Sequence, residues 1–331
     1  MKRWETHATH GLGMDTLFSW NMCGTGHHLT NAMVGEELSR LEGLLSRYDF
    51  DSEVARINRS AGIADVEVSD ETMEVVEAAI ACSKATDGHF DVTVGPLVDL
   101  WDILHAGQIP DAQRIGSLLP LVDYRKIRMD HGRNRIGLED RGASMDLGGI
   151  GKGYAANIIK TLWVTHKVTS AFLDLGGNVS TLGNRPDGAR WKVGIRHPRI
   201  PDSLIAVLQI TDTSVVTSGD YERCFVDGEG RRWHHILDPN IGYPSCSDLI
   251  SATVVHTDAM LADALATAFL VMGSKAVTGI LEHHTDAQIL LVDNKLRLMV
   301  TEGLLPHLQP VGENKELIIL EDYTNGYTHK T

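Results

Sequence analysis

An α+β fold, built of mixed sheets with packed helices, is what this sequence predicts. Three observations carry the prediction. Short alternating runs crowd the second half with no helix between them: Trp191, Val193 and Ile195, then Leu204, Ala206, Leu208 and Ile210. Helical spacing governs much of the first hundred residues, with Val34, Leu38, Leu41 and Leu45 on one face, then Val75, Val76, Ala79 and Ile80 on another. A third segment, beginning near Ala259, is apolar on almost every side, as a helix enclosed by its own protein must be.

Taken in order, residues 1–13 are polar, end in glycine and are expected to form a flexible arm. Residues 14–303 are expected to hold the working domain, one large unit or two intimate lobes, because 331 residues suffice for a large core. Gly43 slightly weakens the helix expected over residues 30–45. Ser69 followed by Asp70 and Glu71 marks the next helix start, and Gly88 lies just past its end. Residues 101–142, with Pro110 and Pro120, read as a mixed connection. Residues 252–255 and 289–292 are short apolar runs expected to be buried strands. Residues 304–331 form a polar tail apart from Leu317-Ile318-Ile319-Leu320, which is expected to dock as an edge strand.

Composition narrows the partners. Apolar content of 43% and charged content of 22% are those of an ordinary globular chain. A net charge of −14 argues against nucleic acid or an anionic membrane as the main partner. A phosphorylated ligand remains compatible, since one lysine, a cation and backbone amides can offset the field locally. Cys23, Cys82, Cys224 and Cys246 show no C-x-x-C spacing, so a zinc ribbon or dithiol redox motif is not expected. The sixteen histidines include the pairs His27-His28, His234-His235 and His283-His284, but none sits in H-E-x-x-H. No run of about 18 apolar residues is present for a membrane span, and Met1 to His10 lack the apolar core of an export signal. A cytoplasmic location is therefore expected, although a chain whose leader had been removed would read the same way.

Four features point to chemistry. Asp146-Leu147-Gly148-Gly149 and Asp174-Leu175-Gly176-Gly177 repeat one tetrapeptide, each after an apolar run. Paired glycines let backbone N–H groups approach a ligand closely, so the two turns suggest two walls of one phosphate- or nucleotide-bearing site; two ordinary strand ends would read the same way. The first copy runs on through Ile150-Gly151-Lys152-Gly153-Tyr154, a lysine between glycines at the start of a helix. It is not a Walker A loop, because Asp146 and Gly153 stand where Gly and Ser or Thr belong, and Tyr154 breaks G-x-G-x-x-G.

On the apolar helix, Asp263 and Thr267 are four apart and share one face. An ionised carboxylate buried there requires a partner, and Asp plus Thr oxygens suit Mg²⁺; an aspartate at the helix start with a core threonine is the alternative. Thr217-Ser218-Gly219-Asp220 reads as a phosphate-binding turn or a plain one. His234-His235-Ile236-Leu237-Asp238-Pro239 offers a general base whose pKa lies near neutrality.

Together these strings resemble the ApbE family of flavin transferases, and the resemblance extends over residues 14–303 in family order. It begins at Met14-Asp15-Thr16, similar to a Met-Gly-Thr start, and continues through Tyr48-Asp49 and Asp51-Ser52-Glu53-Val54-Ala55-Arg56-Ile57-Asn58. Thr86-Asp87-Gly88-His89-Phe90-Asp91-Val92-Thr93-Val94-Gly95-Pro96 and Trp101 come next, then the segment from Asp146 to Ala155 and the second Asp-Leu-Gly-Gly-Asn. Gly194-Ile195-Arg196-His197-Pro198, the Thr217 and His234 strings and Ala262-Asp263-Ala264-Leu265-Ala266-Thr267-Ala268 complete it.

The resemblance implies an ApbE-like, T-fold-related architecture and an enzyme that binds FAD with Mg²⁺. It implies transfer of FMN to a threonine hydroxyl of a target flavoprotein, with release of AMP. Hydrolysis of FAD to FMN and AMP is one alternative, and a carrier that holds FAD without turnover is another. By the same resemblance Asp263, Thr267 and a backbone carbonyl near Gly149 match the metal ligands. Asp146, Lys152, Met14, Tyr48, His89, Phe90, Asp91 and Ile236 match positions around FAD. His235 is the favoured base and His234 the other candidate, with Asp238 expected to orient the imidazole. Asp15 departs from the usual glycine after Met, and Gly149 and Gly151 stand where small residues with side chains are frequent.

Overall fold

The computed structural model describes residues 9–14, 16–24, 31–105, 107–281, 286–312 and 316–320. Among these, nine strands form the central sheet, in the order Thr9–Gly13, Thr16–Gly24, Val168–Leu175, Asn178–Leu182, Ser214–Gly219, Leu249–His256, Gln288–Asp293, Leu298–Val300 and Leu317–Ile319. Neighbours run antiparallel until the last pair, Leu298–Val300 with Leu317–Ile319, which is parallel. The sheet is therefore mixed, as the sequence predicts.

Alternation along these strands feeds two cores. Val216, Ala252, Val254, Ile289 and Leu291 face a helical layer made of Asn31–Leu45, Asp70–Ala85, Gly151–Thr165 and Ala259–Met272. Val215, Ile250, Val255, Leu290 and Val292 face a smaller antiparallel sheet of Trp191–Arg196, Leu204–Ile210 and Leu308–Pro310. Leu249–His256 lies between the two layers, and all eight of its residues are buried.

Helix boundaries follow their caps. The Ser69 hydroxyl accepts from Thr72 N–H at the start of Asp70–Ala85, and Gly88 turns the chain beyond it at φ +75°. Asp258 caps Ala259–Met272 by accepting from Met260 and Leu261 N–H. Asp263 thus stands in the second turn and is not the helix-start residue.

Three expectations need correction. Residues 9–13 are not a loose arm; they pair with Thr16–Gly24 and close one edge of the central sheet, while residues 1–8 lie outside the described part. Residues 302–310 belong to the body, because a 3₁₀ turn at Glu302–His307 delivers Leu308–Pro310 to the smaller sheet. Within residues 101–142, Ile127–Asp130 and Arg135–Leu138 join Val66–Glu67 in a third sheet. The edge strand expected at Leu317 is present as Leu317–Ile319, and residues 321–331 lie outside the described part.

Two helices cross where one of them lacks a side chain. A Cβ on Gly153 would run into Ala259 O and lie 2.6 Å from Met260 Cα, so the helices Gly151–Thr165 and Ala259–Met272 approach this closely only with glycine there. Gly153→Ala is therefore expected to lower the free energy of unfolding by about 1–3 kcal/mol, read as a lower midpoint in urea denaturation with an unchanged slope.

Candidate active site

The first tetrapeptide is held from three sides. Asn58 grips the backbone before it, accepting from Met145 N–H at 2.7 Å and donating to Met145 O at 2.9 Å. Asp146 N–H donates to Val92 O at 2.7 Å, and Asp146 Oδ1 accepts from Gly148 N–H at 2.8 Å. Arg47, its side chain buried, donates to Asp146 Oδ2 at 3.1 Å and to Asp99 Oδ2 at 2.6 Å. Those two carboxylates hold the Arg47 guanidinium charged against its burial. The loop leads straight into Gly151–Thr165, where Ile150 supplies no side-chain cap and a carboxylate from another helix, Asp263, takes the Gly153 N–H of the first turn.

Lys152, the second residue of that helix, bends back so that its Nζ donates to Gly148 O at 2.8 Å. Its charge is felt by both Asp263 and His235, so it belongs to the same site. Asp263 is 4% exposed, and its Oδ2 accepts from Gly153 N–H at 2.9 Å. Burial pushes the Asp263 carboxyl above the usual carboxylate range, while Lys152, the Gly153 N–H and the nearby Asn178 amide favour the charged form. One turn further along, Thr267 Oγ1 lies 3.2 Å from Ser218 Oγ. Gly149 packs against this pair: a Cβ there would stand 3.4 Å from Thr267 Oγ1 and 3.1 Å from Phe90 Cε2. Gly149, more than a hundred residues earlier in the chain, thus stands beside the helix face that carries Asp263 and Thr267. Among the described residues no three His, Cys, Asp or Glu side chains gather to hold a metal. A cation here would rest on one carboxylate with hydroxyl and carbonyl oxygens, a donor set for a hard ion.

The expected turn at Thr217 is a strand. Thr217 and Ser218 sit in Ser214–Gly219 and point to opposite faces, Thr217 toward Thr253 Oγ1 at 2.8 Å and Ser218 toward Thr267. Their composition suits a turn, but pairing with Thr253 and Ala252 of the neighbouring strand decides the conformation.

The two histidines have different surroundings. His234 Nε2 lies 3.0 Å from Ser245 O, and His234 Nδ1 accepts from Ile236 N–H at 3.3 Å, so both ring nitrogens are used within the protein. His235 Nδ1 is buried with no hydrogen-bond partner. Burial, aided by Arg223, His234 and Lys152, pushes the His235 imidazole down to about 3. Burial also lowers His234. Trp101 stacks on Trp233 at 5.4 Å and donates from Nε1 to Gly242 O at 2.8 Å, fixing both ends of the histidine segment. Asp238 does not orient either imidazole: its Oδ1 accepts from Asn240 N–H at 2.9 Å, closing a turn.

The remaining expected contacts are dispersed. Ile236 is buried in the main core. Phe90 borders Gly149, and His89 Nδ1 lies 2.8 Å from Thr86 O. Asp91 spends its carboxylate on Thr93 N–H and Oγ1 and on Tyr124 N–H. Tyr48 is 67% exposed beside the Arg47 guanidinium. Met14, at φ +48°, donates from its N–H to Glu42 Oε1 at 2.8 Å, and Asp15 lies outside the described residues. Arg47 carries no role in the sequence reading, and Ser218 enters it only as part of the Thr217 turn. Asn58 and Asn178 end longer family strings and carry no role of their own in the sequence.

Residues 14–291 match the ApbE family. The chain belongs to this family. A Klebsiella pneumoniae FAD:protein FMN transferase is 34% identical over 283 residues, spanning 85% of this chain and 87% of its own. A Treponema pallidum protein of the same name is 32% identical, spanning 82% and 79%. The crystal structure of the ApbE protein from Thermotoga maritima superposes with a TM-score of 0.81 at 30% identity, covering 91% of this chain and 98% of that one. The flavin transferase ApbE from Vibrio cholerae superposes with a TM-score of 0.80 at 24% identity and the same coverage, a likeness of fold. The ApbE-like α+β architecture is thereby established.

In this ApbE chain the buried histidines link stability to pH. Folded His235 stays neutral well below the unfolded value of about 6.5, so the unfolded chain binds more protons in that range. Its contribution is whole above about pH 6.5 and declines as pH falls toward 3. His235→Gln is expected to flatten the acid limb of stability against pH, measured by urea denaturation at stepped pH.

Proposed function

We propose that this chain is an FAD:protein FMN transferase, moving FMN from FAD to a hydroxyl of a target flavoprotein. The observation that supports this best is the gathering of Asp263, Thr267 and Gly149 with Lys152 at the start of Gly151–Thr165, near the unpartnered His235 Nδ1. The relatives' names supply the substrates. The oxygen set fits Mg²⁺, since Asn178, buried beside Asp263, also leaves both amide atoms without partners. When bound, the ion neutralises diphosphate oxygens and the departing phosphate of AMP.

The chain's own groups then divide the work. Lys152 draws the diphosphate to the helix start, where the charge it develops is stabilised, while the N–H groups of Gly148, Ile150 and Gly151 hold the loop itself by donating to Asp146 Oδ1 and Leu147 O. His235, unpartnered at Nδ1, takes the proton of an acceptor threonine hydroxyl, with the anionic diphosphate bound beside it raising the imidazole from its depressed value toward the range a base needs. The threonine oxygen forms its bond to the FMN phosphorus as the bond from that phosphorus to the bridging oxygen breaks, and AMP leaves with that oxygen. His234 holds the strand by its two internal contacts.

Incubation with FAD, Mg²⁺ and a peptide carrying an acceptor threonine is expected to give an FMN adduct and AMP by mass spectrometry. AMP with free FMN and no adduct would instead establish hydrolysis. Asp263→Ala should lower turnover at least about tenfold, and Lys152→Ala should weaken FAD binding or slow cleavage. His235→Ala should cost transfer about 10²–10⁴-fold with FAD affinity nearly intact. Near-parental transfer by His235→Ala would exclude it as the base.

A further inference from the structure

The second tetrapeptide takes no part in the chemistry above, although the strand it starts pairs with Ser214–Gly219, which borders the site. Gly177 N–H donates to Asp174 Oδ1 at 2.8 Å, and Gly176 and Gly177 lie at φ +64° and +96°, a left-handed pair that side chains would strain. This turn reverses the chain after Val168–Leu175 and starts the next strand on Asn178.

Asn178 is paired opposite Val216, and Val216 packs in the helix-side core. Residues directly opposite share a face, so Asn178 points toward the helical layer, as does Ser218 two residues beyond Val216. Asn178 is 1% exposed, and neither Nδ2 nor Oδ1 has a hydrogen-bond partner. Ser218 on that face lies 3.2 Å from Thr267, and the strand Asn178–Leu182 itself touches Ala259–Met272, so Asn178 stands against the helix face that carries Asp263. A buried amide that uses neither its donor nor its acceptor is destabilising, and an apolar side chain of equal size would relieve the fold of that burden. A residue so placed makes sense where a ligand completes its contacts.

We propose that Asn178 is a positioning residue of the transfer site: with a divalent cation at Asp263, its Nδ2–H donates to the carboxylate and fixes the plane in which the oxygens face the ion. Gly153 N–H holds Oδ2 from the opposite wall. The two tetrapeptides are then two devices for one carboxylate. The first delivers the helix start that carries Gly153, and the second delivers Asn178. The proposal rests on the cation reading given above and adds a residue to it.

The test uses the full chain with metal alone, without FAD. Mn²⁺ affinity is read by electron paramagnetic resonance and the Mg²⁺-induced rise in Tm by thermal unfolding, for the parent, Asn178→Leu, Asn178→Ala and Asp263→Ala. Both Asn178 variants are expected to bind Mn²⁺ about tenfold or more weakly, as loss of a partner behind a metal ligand does. Asn178→Leu is further expected to keep or raise the metal-free Tm while its Mg²⁺-induced rise shrinks. A merely structural asparagine predicts the reverse, a lower metal-free Tm with an unchanged Mg²⁺-induced rise, and that result overturns the proposal. Parental Mn²⁺ affinity in Asn178→Ala also overturns it while leaving the cation reading intact. If the parent and Asp263→Ala alike bind no Mn²⁺, the cation reading itself fails, and the role of Asn178 falls with it.

Discussion

Burial of one carboxylate organises this molecule. Asp263 lies 4% exposed on a helix that is otherwise almost wholly apolar, sandwiched between the central sheet and the helix Gly151–Thr165. A charge so placed demands compensation from every side. The neighbouring helix gives it a backbone N–H, and that donor reaches 2.9 Å only because Gly153 has no side chain to hold the helices apart. The same helix brings Lys152 within electrostatic reach. The requirement thus fixes a crossing point, a glycine and a lysine together. The tetrapeptide loop that starts the helix is in turn locked by Asn58, Arg47 and the Val92 carbonyl.

Much of this was legible from sequence. The Asp263 helix announced itself because an acid on an apolar stripe is anomalous at any exposure, and its burial needed only periodicity to foresee. The strands at Trp191, Leu204, Ala252 and Ile289 followed from alternation or apolar runs, which local sequence encodes directly. The edge strand at Leu317 stood out as the apolar patch of a polar tail.

What was misread depends on distant partners. Residues 9–13 look like an arm because their order comes from pairing with the next strand, and a single edge strand carries little apolar pattern. Thr217 and Ser218 have turn composition, yet pairing with Thr253 and Ala252 holds them extended, and only then does Ser218 reach Thr267. Asp238 sits one helical turn's length from the histidines in sequence, but its carboxylate closes its own loop. Asn58 acts on Met145, 87 residues away, through backbone atoms that no residue-type rule can flag. The distinction between His234 and His235 is likewise a matter of which ring nitrogens the fold uses.

The stacked pair of Trp101 and Trp233, with Tyr243 edge-on at 5.7 Å, was described above as an anchor for the histidine segment. It is also an optical element. Buried indoles emit in the near ultraviolet, where an isoalloxazine ring absorbs, so excitation passes from one to the other over distances of the order of a protein radius. A flavin nucleotide settling beside His235 would dim this pair and brighten or quench its own emission in step. With flavin bound as proposed, the packing that holds the histidines would give the protein, alongside its four other tryptophans, an intrinsic fluorescent gauge of occupancy, one that needs no label and follows binding and departure in real time.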